Sequence, residues 1–171
     1  MHAWIDVWNR HRDTLREWVP SLVLLPVCLF FVLNRGRYTF LDHADLIIHE
    51  AGHFVFRFFG PVMHVLGGTL MQILLPSILV GHFLIHHYRF GVQLSLLWLG
   101  HNFINISVYA GDARARVLPL LGGSRSIHDW HYLLGRAGWL EADALVSDAF
   151  FAWAVVCFVL LVLLPLRMMG E

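Results

Sequence analysis

His49, Glu50 and His53 form the pattern H-E-x-x-H inside the stretch DLIIHEAGHFVFRFFG, residues 45–60. Residues four apart on a helix share a face, so His49 and His53 can both aim an imidazole nitrogen at one zinc ion. Glu50 stands next to the first of them and can reach a water held by that ion. Zinc brings the pKa of such a water toward ~7, where a carboxylate can take its proton. The pattern therefore supports hydrolysis with Glu50 as general base. Three fixed residues in five recur by chance in many proteins, but the setting here is unusual. Leu46, Ile47, Ile48, Phe54, Val55 and Phe56 surround the motif, and such a helix is buried or lies in a bilayer. A central acid in that setting costs roughly 2.5 kcal/mol or more, and an ionisable residue inside a membrane is a functional hypothesis by default.

The chain holds twelve histidines in 171 residues. His128 and His131, in HDWH, sit three apart and share one helical face. They are alternative metal ligands, or groups that orient the ligands; a plain interfacial helix competes with both. His82, His86, His87 and His101 suggest a rival chemistry, a histidine-rich membrane di-iron oxygenase or hydroxylase, since imidazole binds iron as readily as zinc. Such a site gives Glu50 no task. A polar membrane-interface end is the plainer reading of His82 to Tyr88.

The elements that must hold these groups are apolar. Hydrophobic residues make up 58% of the chain and charged residues 14%, against about 25% charged in soluble domains. Net formal charge is zero, so no bulk field recruits nucleic acid. Cys28 and Cys157 stand far apart in apolar runs, which predicts neither a disulfide nor a thiolate metal site. Charge-free stretches run over residues 19–34, 58–88, 90–111 and 149–166. With the helix around His49, predicted over 41–59, they predict an all-α polytopic membrane protein. About five to six membrane-embedded helices are expected, given that a span needs about 20 residues. The whole chain reads as one domain. Residues 1–17 form an interfacial segment, and 112–148 a polar loop region with a short helix that Ser126 and Asp129 cap. The expected location is an integral, multi-pass position in a membrane, the cell membrane being the first choice.

These residues resemble the site-2 protease family of intramembrane zinc metallopeptidases, which carry H-E-x-x-H in a membrane helix. In that family a later membrane segment supplies an aspartate ligand, in a motif like N-x-x-P-x-x-x-L-D-G. The counterpart here is HNFINISVYAGDARAR, residues 101–116, with Asn105 seven residues before Asp112. It lacks the proline, and the aspartate sits in AGD. The resemblance implies zinc held by His49, His53 and Asp112, substrate positioning by Asn105, and hydrolysis of peptide bonds in membrane-protein or peptide substrates. It also implies an edge-like strand or loop at GGTLMQILLP, residues 67–76, to hold substrate extended. A kinked membrane helix is the other reading of that stretch. A catalytically inactive relative that keeps the metal is the remaining alternative.

Overall fold

Long charge-free runs can satisfy their backbone only internally in an apolar solvent, and here they do so as helices. The computed structural model describes residues 2–121 and 127–168. It is all-α, with no strand among the described residues. Six α-helices follow in order: α1 His2–Leu33, α2 Phe40–Phe56, α3 Pro61–Ile85, α4 Arg89–Gly111, α5 Asp129–Ala137 and α6 Asp143–Met168. The N-terminal segment expected to be interfacial and the first apolar run form one continuous helix, α1. A short 3-10 turn, Arg57–Phe59, ends α2, and Gly60 and Pro61 open α3.

Among the described residues, three stretches are long and apolar enough to cross a membrane: Arg16–Leu33, Pro61–Ile85 and Leu140–Leu166. That is fewer than the five or six embedded helices expected. The reason lies in α4. Its 23 residues reach about 34 Å at about 1.5 Å per residue, enough to span. However, it packs against α1, α3 and α6 and buries Gln93, Ser95, His101, Asn102 and Ser107. A helix enclosed by other helices need not be apolar, so hydropathy alone does not select it. α2 is 17 residues long and carries the ionisable motif.

The core lies where α1, α4 and α6 meet. Leu24, Cys28 and Phe31 of α1 pack with Val92, Leu96 and Phe103 of α4 and with Ala154, Phe158 and Leu161 of α6. Gln93 ties the three together, its Nε2 donating to Ser21 Oγ at 2.8 Å and to the Leu161 carbonyl at 3.1 Å. Such bonds between membrane helices are worth about 0.6 kcal/mol on average. Cys28 and Cys157 are buried free thiols in the same core.

α2 and α3 approach through glycine. A Cβ on Gly67 would stand 2.6 Å from the Gly52 carbonyl oxygen, and one on Gly52 would overlap the Gly67 carbonyl. The stretch 67–76 is therefore helix within α3, not the strand or loop that the family resemblance implies. Its glycines serve close helix packing, as small residues do between membrane helices. α5 begins at Asp129 with His128 as its N-cap and ends at Gly138, whose φ of 72° is left-handed. Ser126, expected to cap it, lies outside the described residues.

Gly67→Ala should therefore lower stability by about 1–3 kcal/mol, as overpacking does. Gly135→Ala, where a Cβ meets nothing within 4 Å, should be neutral or slightly stabilising, since alanine is the better helix former. Denaturation of the two variants in one detergent checks this; equal midpoints would contradict it.

Candidate metal centre

Helical spacing stacks His49 and His53 on one face of α2, their rings 4.7 Å apart. Each ring is held by its Nδ1. His53 donates Nδ1–H to the His64 carbonyl at 2.8 Å, and His64 Nδ1 returns a bond to the His53 carbonyl at 3.0 Å. His49 Nδ1 meets Gln72 Oε1 at 2.9 Å. Gln72 in turn donates Nε2–H to Asn105 Oδ1 at 3.0 Å, and Asn105 donates Nδ2–H to Asp42 Oδ1 at 2.9 Å. A carboxylate only accepts, so this chain fixes both amides and leaves Gln72 Oε1 as an acceptor for His49. The Nδ1 of both histidines is a donor, and both Nε2 atoms are left to point elsewhere.

They point at one oxygen. His49 Nε2 lies 2.8 Å and His53 Nε2 3.2 Å from Asp129 Oδ2. Asp129 comes from the first turn of α5, where its backbone N–H donates to Tyr109 Oη at 3.0 Å. Burial works to raise its carboxyl pKa, but hydrogen bonds and charge from His49 and His53 outweigh burial and hold it below the usual carboxylate value. His49 and Asp129 are buried and His53 half-buried. Lone pairs on three acceptor atoms cannot share so small a space unaided. Protons on the imidazoles, or a single cation, must sit between them.

These three residues could hold a metal ion. Bonds of about 2.0–2.2 Å to nitrogen and oxygen, at the tetrahedral angle, place ligand atoms about 3.3 Å apart. The ligand atoms of His49, His53 and Asp129 all lie within 4.8 Å of one another. Glu50 is exposed toward a cavity of about 830 Å³ that His49, His53 and Asp129 also line. Phe30, Leu46, Leu118 and Ile127 give that cavity apolar walls, and its size is that of a small-ligand or short peptide site.

The carboxylate beside the two imidazoles is thus Asp129, and Asp112, expected as the third ligand, lies elsewhere. Asp112 follows the last residue of α4, and its oxygens accept from Val117 N at 2.9 Å and Leu118 N at 3.0 Å. His128 Nε2 also reaches it, at 3.3 Å. Asp112 therefore closes the turn after α4. His128 and His131, the alternative ligands, are likewise occupied. The His131 backbone N–H donates to His128 Nδ1, and His131 Nδ1 donates to the Ala113 carbonyl at 2.8 Å. Burial lowers the pKa of His128 against the opposing pull of Asp112. HDWH does reach the centre, through the aspartate between its histidines. Asn105, expected to position substrate, lines the cavity but spends both ends of its amide on Gln72 and Asp42. Arg57 stacks over the rings of Phe54 and Phe58.

A second group, Asp42, Asp45 and His101, is fully buried. His101 Nδ1 donates to Asp45 Oδ2 at 2.7 Å, and Trp98 Nε1 donates to Asp45 Oδ1 at 2.8 Å. Asp42 Oδ2 accepts from the N–H and O–H of Thr39, at 2.6 and 2.7 Å. Protons satisfy these oxygens. His82, His86 and His87 join neither group among the described residues.

No family model, no curated protein and no solved structure matches the chain. The chemistry of the site therefore has to be read from its own atoms.

Removing the Asp112 carboxylate should loosen the turn it closes. In Asp112→Ala the amides of Val117 and Leu118 lose buried acceptors worth about 1–3 kcal/mol. Their hydrogen exchange should quicken at least about fivefold, because local opening sets the rate. Unchanged exchange would remove Asp112 from this role.

Proposed function

We propose that the chain is a zinc-dependent endopeptidase of membranes, hydrolysing peptide bonds in membrane-protein or peptide segments that reach its cavity. His49, His53 and Asp129 would hold the metal. One observation supports this above the others: two imidazoles, each held through Nδ1 by a partner on its far side, turn their Nε2 atoms to one carboxylate oxygen. Metal-binding histidines are usually held in this way through their second nitrogen. We propose further that the protein is a multi-pass integral protein of the cell membrane, with its three apolar spans in contact with lipid.

Zinc, when bound, supplies acidification of a water and polarisation of a substrate carbonyl. The rest falls to the chain. Glu50, beside His49 in sequence and exposed to the cavity, takes a proton from the attacking water and passes it to the leaving amine. The apolar walls receive the side chains of an unwound substrate segment and limit bulk water. Two histidines with one carboxylate also suit ferrous iron, but an iron oxygenase leaves Glu50 without a task, and its position in the cavity favours hydrolysis.

Metal analysis of protein purified in detergent, with a peptide-cleavage assay, tests the proposal. Wild type should carry about one zinc per chain, the content of a mononuclear site. His49→Ala and Asp129→Ala should lose it, and Asp112→Ala should keep it. Glu50→Gln should retain zinc and lose cleavage by about a hundredfold or more, the scale of general-base catalysis. Zinc lost in Asp112→Ala but kept in Asp129→Ala would overturn the ligand set. Full cleavage by Glu50→Gln would overturn the mechanism, and stoichiometric iron would replace hydrolysis with oxygen chemistry.

A further inference from the structure

Asp42 stands three hydrogen bonds from His49, yet its chemistry decides which nitrogen of His49 carries the proton. We infer that Asp42, Asn105 and Gln72 are positioning residues that set the His49 tautomer, and with it the affinity of the metal centre. The inference rests on reading His49 as a metal ligand.

Four side chains from three helices form one directed chain. Asp42 Oδ1 accepts from Asn105 Nδ2, Asn105 Oδ1 accepts from Gln72 Nε2, and Gln72 Oε1 accepts from His49 Nδ1. An amide has one donating and one accepting end, so a chain of two amides can run in either direction. Only its terminus chooses. Asp42 is that terminus because a carboxylate cannot donate. Its other oxygen is fixed by the backbone N–H of Thr39, at 2.6 Å, and by the Thr39 hydroxyl, at 2.7 Å. Gln72 is 1% exposed, so water cannot substitute for a reversed partner.

Asp42→Asn keeps the shape and reverses the chain. The Thr39 N–H can only donate, so the new amide must turn its oxygen to Thr39 and its NH₂ to Asn105. Asn105 then turns over, and Gln72 after it, presenting Nε2 to His49. His49 Nδ1 becomes the acceptor, and the ring proton moves to Nε2, the atom that faces Asp129. A protonated Nε2 has no lone pair for a metal. Asn105→Asp on the Asp42→Asn background restores the original direction. The carboxylate at 105 accepts from position 42 on one oxygen and from Gln72 on the other, and the net charge is unchanged.

Two readouts test this on full-length protein. Zinc affinity, from competition with a chelator, should fall about 10–100-fold in Asp42→Asn, the usual cost of disturbing a ligand's outer partner. It should recover in the double variant. Nitrogen-15 spectra on the metal-free Asp129→Ala background, where no carboxylate faces Nε2, should place a single ring proton on Nδ1 with Asp42 in place and in the double variant, and on Nε2 in Asp42→Asn. Gln72→Leu, which leaves Asp42 intact, should show the same loss of affinity and supplies the test should Asp42→Asn fail to fold. The inference is overturned if the proton stays on Nδ1 in Asp42→Asn, if the double variant folds without recovering affinity, or if Gln72→Leu binds as wild type does. Should wild type bind no zinc, the metal reading falls, and the tautomer spectra alone decide the role of Asp42.

Discussion

Asp129 Oδ2 lies within 2.8 and 3.2 Å of two imidazole nitrogens whose rings are already committed on their other side. In water, three lone pairs brought together would be screened. In a buried place they are not, because a low dielectric strengthens repulsion as much as attraction. The arrangement holds only with positive charge at its centre, and much of the fold serves to assemble it. α2 supplies both histidines, α3 supplies Gln72 and the His64 carbonyl, α4 supplies Asn105, and α5 supplies Asp129. No single element contains the site, so the packing of α2 on α3 through Gly52 and Gly67 is part of its chemistry. Gly68 makes the link direct: a Cβ there would stand 2.5 Å from His49 Nε2.

Water-using chemistry in an apolar chain needs a place where polar groups can be both dry and reachable. The protein divides that task. α4 is enclosed by neighbouring helices and carries the polar groups that orient others, while the lipid-compatible surface falls to α1, α3 and α6. The polar segment after α4 turns back at Asp112 and delivers α5 to α2. Glu50 faces the cavity, whereas Gln72, which positions His49, is buried behind it.

Much of this was legible in the sequence where a local rule applied. Period 3.6 put His49 and His53 on one face, and the apolar run of α6 stood out by composition. Legibility failed where the third dimension decides. α4 reads as a lipid span until its neighbours are known. The family resemblance implies an extended segment at 67–76, but its glycines are there because α2 and the His49 ring come close. Asp129 resembled a helix-capping acid and its neighbours His128 and His131 the better ligands. In α5 the residue one step on from His128 turns about 100° around the axis, and that turn sends the aspartate to α2 while both histidines close the loop after α4. Asp42 gave no signal at all beyond its place in a first turn, since its effect passes through residues 63 and 30 positions away.

The central claim is that His49, His53 and Asp129 enclose one cation. X-ray absorption at the zinc edge, on wild-type protein purified in lipid, tests it most directly. The proposal predicts a mononuclear site with two imidazole nitrogens and a carboxylate oxygen at about 2.0–2.2 Å. A zinc spectrum without imidazole, or protein that takes up no stoichiometric metal, would contradict it.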